Sequence, residues 1–174
     1  MTILAFLAEL DTVWKGLAVA GKLAVTFKGV ILKIVNANKD EKFKDDVAVI
    51  IDFLPSSAEG DVRRYLEAKR IDATICICEN PDDSGFLDIN DKDSWENATR
   101  GIYATLTTIA KASPKRVHIF LSCPAALAFA IGNVARQTCN PYVYQHNTRR
   151  SDDAASSIYS MVLRANDSLR EKNG

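Results

Sequence analysis

The stretch HIFLSCPAALAFAIGN, His118 to Asn133, decides the fold. A short apolar run ends at Ser122-Cys123-Pro124, and a run rich in small residues (Ala125, Ala126, Ala128, Ala130, Gly132) follows at once. A continuous apolar run closed by turn residues reads as a strand buried on both faces. Proline suits the first position of a helix, because its missing N–H has no intrahelical partner there and its φ is already helical. The passage therefore predicts a strand over Lys115–Ser122 that hands over directly to a helix over Pro124–Gln137.

The same alternation extends outward in both directions. VAVIIDFLP (Val47–Pro55) and DATICICE (Asp72–Glu79) are further β-rich apolar runs. Between them, Ser57–Arg70 places Val62, Tyr65 and Leu66 on one helical face. Trp95–Ala112 is a second helix, with Ser94 as its cap, Asn97 placed to assist, and a stripe of Trp95, Ile102, Leu106 and Ile109. PYVYQHN (Pro141–Asn147) is a fourth strand. The connections are too long for hairpins, which implies right-handed crossovers. The expected fold class is α/β: a Rossmann-like, mainly parallel sheet flanked by helices, containing Val47–Phe53, Ala73–Cys78, Val117–Leu121 and Tyr142–Tyr144.

Residues 1–40 differ from the rest. Ile3, Leu7, Leu10, Trp14 and Leu17 follow a helical period, so this part reads as an N-terminal helical segment ahead of an α/β domain over 47–174. The period of Val25–Val35 fits a strand as well. Glu9 and Asp11 interrupt the apolar run too early for a signal peptide. Lys22, Lys28 and Lys33 argue against a membrane span, at about 2.5–3.5 kcal/mol each at the bilayer centre. Two readings stay open: helices packed on the domain or on a second copy, and a basic amphipathic segment (residues 1–35) on a membrane surface. Asn36–Asp46 is a charged break.

Lys+Arg and Asp+Glu both number 22, so the chain lacks the basic excess of a duplex nucleic-acid binder. Cys76, Cys78, Cys123 and Cys139 form no C-x-x-C pair and the chain has two His, which argues against zinc and for small buried thiols in a cytoplasmic protein. Asp82, Asp83, Asp88, Asp91 and Asp93 lack calcium-loop spacing and read as a solvated acidic loop. The G-x-S-x-G elbow, G-x-G-x-x-G and the P-loop are all missing. Ser122 or Cys123 as the nucleophile of a small hydrolase stays open, although His118 lies inside a strand and His146 follows another, so neither is placed as a base.

In a doubly wound sheet, ligands bind beyond the carboxyl ends of the strands, where the strand order reverses. Those ends carry DFLPSS, CENPDD and LSCPAA. The Ala125 and Ala126 N–H groups would point outward from a helix N-terminus, an end that attracts phosphate or carboxylate. Tight helix–sheet packing accounts for the same small residues.

The order VAVIIDFLPSS, DATICICE, DSWENATRGIYATLTTIAK and RVHIFLSCPAALAFAIGNVARQTCNPYVYQHN resembles the carboxyl-terminal half of a SAVED domain, over about Val47–Asn147. The resemblance rests most on Ser122-Cys123-Pro124-Ala125-Ala126-Leu127-Ala128, Gly132 and Tyr142-Val143-Tyr144. SAVED domains are related to CARF domains and serve CBASS and CRISPR antiviral signalling. The resemblance implies a sensor, not an enzyme, without a cofactor. It would bind a cyclic di-, tri- or tetranucleotide and oligomerise or engage an effector chain, in the cytoplasm or at the periphery of the inner membrane. The implied ligand-binding residues are Phe53, Ser56, Ser57, Arg63, Ser122, Cys123, Pro124, Ala125 and Ala126. Backbone N–H groups near Cys123–Ala126 would hold phosphate, the serines would supply hydroxyls, and Arg63 or Arg64 would offset charge. The two arginines fit a solvated helix face equally. A ligand-free assembly module is the remaining alternative.

Overall fold

Eight strands form one mixed sheet in the order β1-β2-β3-β5-β4-β6-β7-β8. They are β1 (Leu17–Val19), β2 (Lys22–Phe27), β3 (Val30–Val35), β4 (Asp46–Asp52), β5 (Ala73–Glu79), β6 (Arg116–Ser122), β7 (Tyr142–His146) and β8 (Tyr159–Arg164). Three helices connect them: α1 (Glu59–Ala68), α2 (Lys92–Lys111) and α3 (Ala125–Thr138). This is a computed structural model; it describes residues 1–3, 5, 8, 17–19, 22–27, 30–35, 41–54, 56–81, 87, 90–139, 141–146 and 159–164.

The central block β5-β4-β6-β7 is parallel throughout, in keeping with the continuous apolar runs of β4, β5 and β6. The sheet as a whole is not mainly parallel. β1, β2 and β3 extend it antiparallel from β5, and β8 closes the other side antiparallel to β7. The expected Rossmann-like sheet is thus corrected to a mixed one. The expected N-terminal helical segment is corrected too. Ile3, Ala5 and Ala8 have helical backbone, but residues 17–19, 22–27 and 30–35 are strands. The physical reason is the burial of β3: Val30, Leu32 and Ile34 are fully buried at period two. An apolar stretch with lysines at intervals satisfies both periods, and pairing with β5 selects the extended one. Leu7, Leu10 and Trp14 lie outside the described residues, as do Asp82, Asp83 and Asp88.

Crossover handedness fixes which helix covers which face. The chain steps from β4 outward to β5, then back across β4 to β6 and on to β7. Right-handed connections put α1 on one face and both α2 and α3 on the other. The side chains agree. Val49, Ile51, Phe53 and Ile119 pack with Ile102, Leu106 and Leu127. Ala48, Ile50 and Phe120 pack with Val62, Tyr65 and Leu66. α2 begins earlier than expected, because Asp91 rather than Ser94 is its cap; the Asp91 carboxylate accepts the Ser94 N–H at 3.0 Å. β8 was not expected from the sequence.

A buried polar network closes the amino-terminal end of the parallel block. The Arg116 guanidinium donates to both oxygens of Asp46. His118 Nε2 lies 2.9 Å from Asp46 Oδ1, and its Nδ1 lies 2.8 Å from the Tyr144 hydroxyl. A carboxylate accepts only, so Nε2 carries the proton and Nδ1 accepts from Tyr144. Burial pushes His118 below the ordinary histidine range, although Asp46 opposes the shift. Burial pushes Asp46 upward, but the hydrogen bonds from Arg116 and His118 outweigh it and hold Asp46 below the usual aspartate range. These residues tie β4, β6 and β7 together at one end of the parallel block.

Candidate functional site

The strand order reverses between β4 and β6, since β4 leads to one side and β6 to the other. The crevice of such a sheet lies at the carboxyl ends of those two strands. There Asp52 and Ser122 are register partners, and the Phe53 N–H bonds the Ser122 carbonyl at 2.8 Å. The end of β4 and the turn into α3 are therefore held as one unit.

The N-terminus of α3 is the distinctive feature of this end. Its N-cap is Pro124, no side chain caps it, and its first turn holds no acidic residue. The helical ladder starts with the Ala128 N–H bonding the Pro124 carbonyl at 3.0 Å, so the Ala125, Ala126 and Leu127 amides come before it. Ala125 and Ala126 are exposed. The other two helices begin differently: α1 has Glu59 and Asp61 in its first turn, and α2 is capped by Asp91. Among the described helices, α3 alone offers an uncapped N-terminus with no carboxylate to offset its dipole.

Asp52 was not singled out in the sequence, and it is the most unusual side chain at this end. It is 7% exposed, its Oδ2 accepts the Ala58 N–H at 2.9 Å, and its Oδ1 is buried without a partner among the described residues. Burial raises its carboxyl above the ordinary aspartate range. The Ala58 amide, the nearby Ser122 and Ser57 hydroxyls and the Lys33 charge only partly oppose this, and neither hydroxyl reaches Oδ1 with hydrogen-bond geometry. Glu79 is the register neighbour of Asp52 on β5 and is ion-paired to Lys33. The available signal was a carboxylate ending the otherwise apolar run VAVIID.

An ionised Asp52 is penalised only in the folded chain. Stability therefore falls as pH rises from the ordinary aspartate range, about 3.9, through the raised folded value, and stays lowered above it. Asp52→Asn keeps an acceptor for Ala58 and removes the charge. It should melt higher than the parent at pH 7, with the two melting temperatures converging as pH falls toward 4. A variant that melts lower at pH 7 contradicts this assignment.

The other expected residues fall into three places. Ser56 and Ser57 are exposed on the loop after β4, and the Ser57 hydroxyl accepts the Glu59 N–H at 3.3 Å. The Phe53 ring is fully buried in the core beneath the crevice. Cys123 is half-buried against that core, and burial pushes its thiol up to about 12. A thiol in this state is not poised as a nucleophile. His118 lies four residues before Ser122 and five before Cys123, roughly 13 and 16 Å at strand spacing, and is occupied by Asp46 and Tyr144. His146 lies 3.4 Å from Asp61. Arg63 donates to Glu59 at 2.9 Å and lines a cavity of about 380 Å³ with Lys42, Lys44, Thr74 and Ile75, away from Ser122–Ala126. Arg64 pairs with Asp61. That cavity carries carboxylates as well as cations, and Lys44 is paired with Asp72 at 2.5 Å, so its charge is largely balanced. A second cavity, of about 360 Å³, lies where α2 and α3 end, beside Arg136 and Cys139.

Residues 17–160 match the model of the SMODS-associated and fused to various effectors sensor domain, SAVED, and the chain belongs to this family. It is accordingly a sensor domain of antiphage signalling, of a kind found fused to effectors. No curated protein matches it. The match begins at β1 and ends within β8, so the antiparallel additions on both sides belong to the matched region.

Proposed function

We propose that this chain binds a cyclic di-, tri- or tetranucleotide second messenger at the carboxyl ends of β4 and β6. It responds in the cytoplasm by self-association or by engaging an effector chain in antiviral defence. The observation that carries this reading is the α3 N-terminus, exposed at the switch point with no cap and no acid in its first turn. A phosphodiester matches such an end through both charge and hydrogen bonding. Ser122 and Ser57 lie at the same end and supply hydroxyls toward the sugar–phosphate ring. The hydrolase alternative has less support: the Cys123 thiol is raised by burial, and the hydroxyl of Ser122 lies against Asp52, itself a buried carboxyl.

The test is a thermal-shift panel of cyclic di-, tri- and tetranucleotides on the full chain, followed by light scattering with the strongest binder. One ring class should raise the melting temperature in a concentration-dependent manner, because a ligand that binds only the folded state stabilises it by mass action. A flat response to every ring refutes the reading.

A further inference from the structure

Along β4 the side chains alternate between the two faces of the sheet. Val49, Ile51 and Phe53 pack with α2 and α3, and Ala48 and Ile50 pack with α1. Asp52 therefore stands on the α1 face at the carboxyl end, and so does its register partner Ser122, two residues after Phe120. The fold uses half of the Asp52 carboxyl: Oδ2 accepts the Ala58 N–H at 2.9 Å, at the N-cap of α1. Oδ1 is buried and has no partner among the described residues, on a residue only 7% exposed. The neighbouring carboxylates at this end are matched: Glu79 with Lys33, Glu59 with Arg63, and Asp61 with Arg64. Buried acceptors are almost always hydrogen-bonded, so one left open at the switch point of the sheet points to a donor that arrives from outside.

We propose that Asp52 is a specificity residue of the crevice: the Ser56–Ser57 turn yields on binding, and Oδ1 accepts a hydrogen bond from an O–H or N–H of the ligand. The inference rests on the function proposed above and states which part of the nucleotide faces α1. A carboxylate repels phosphate, so the phosphodiesters stay on the α3 side. The donor-bearing part, a free ribose hydroxyl or a base amine, turns to Asp52. Ser57 is exposed and its hydroxyl is near the carboxyl, which makes its turn the route to Oδ1. A metal ion is a poorer partner, because no group of three His, Cys, Asp or Glu fit to hold one occurs among the described residues.

The experiment is calorimetric titration of the full chain with the cyclic nucleotide that gives the largest thermal shift. Two analogues accompany it, one lacking the free ribose hydroxyls and one with hydrogen in place of the base amine. In Asp52→Asn the Ala58 N–H takes the amide oxygen, so the NH2 group falls where Oδ1 was and meets the ligand's donor with a donor. This variant should bind the parent nucleotide about 10- to 150-fold more weakly, the range for loss of a hydrogen bond to a charged group, without melting lower at pH 7. One analogue should weaken binding to the parent chain by a similar factor and make little difference to Asp52→Asn, which identifies the donor as hydroxyl or amine. In the parent chain, with no substitution, the Asp52 carboxyl carbon resonance should move on binding. Equal affinity of parent and Asp52→Asn overturns the role of Asp52 and leaves the proposed function standing. An unmoved carboxyl resonance overturns it too, as do analogues that lose as much on Asp52→Asn as on the parent. If no cyclic nucleotide binds the parent, the proposed function fails first and the role of Asp52 with it.

Discussion

Replacing Ala126 with Glu is expected to abolish binding of the proposed cyclic nucleotide while leaving the domain folded. Ala126 is exposed in the first turn of α3, which contains no acidic residue. A carboxylate there occupies the position proposed for phosphate and meets it as a like charge, at a cost of about 3 kcal/mol or more, a little over 100-fold in Kd. The same carboxylate is favourable for the helix, since a negative charge near an N-terminus contributes about 0.3–1 kcal/mol. Stability and binding should therefore move in opposite directions: an unchanged or slightly higher melting temperature, with no detectable titration. That divergence separates a blocked site from an unfolded protein. A folded Ala126→Glu chain that binds as the parent does would remove the ligand from the α3 N-terminus.

The second large effect is on stability. Phe120→Ala should destabilise the domain by about 3–5 kcal/mol in urea denaturation. Phe120 is fully buried on the α1 face of β6. Its ring stacks on Tyr144 at 4.5 Å and meets Tyr159 and Tyr65 edge-on at 5.0 and 5.9 Å. This ring cluster joins α1, β6, β7 and β8, so deleting its centre leaves a cavity bordered by three rigid rings that cannot easily close around it. A loss under about 1 kcal/mol would mean that α1 does not pack on this face as described.

The parallel block was legible because three of its four strands, β4, β5 and β6, are continuous apolar runs ended by turn residues. VAVIID, ATICIC and VHIFL are buried almost throughout, which leaves no competing helical period. The first 35 residues were not legible for the opposite reason. In VTFKGVILKIV the apolar and lysine positions satisfy helix and strand alike, and only the free edge of β5 decides between them. β8 escaped notice because it follows a polar stretch and its partner strand is five residues long. At the site, a helix starting at the Pro-Ala-Ala turn was readable from local chemistry, although Pro124 is its N-cap, with ψ 145, and not the first helical residue expected. Asp52 was not, because the meaning of a strand-end aspartate lies in its burial and its unpartnered oxygen. Phe129 was not singled out in the sequence; the packing of Leu127 and Ile131 into the sheet leaves it exposed.

The central claim is a place, the N-terminus of α3, and amide chemical shifts report it residue by residue. Titrating the isotopically labelled full chain with the strongest-binding cyclic nucleotide should move the Ala125, Ala126 and Leu127 amides most, with Ser57 and Ser122 next. Largest shifts at Lys42, Lys44 and Thr74, around the charged cavity beside α1, would contradict the account and put the ligand on the other side of the domain.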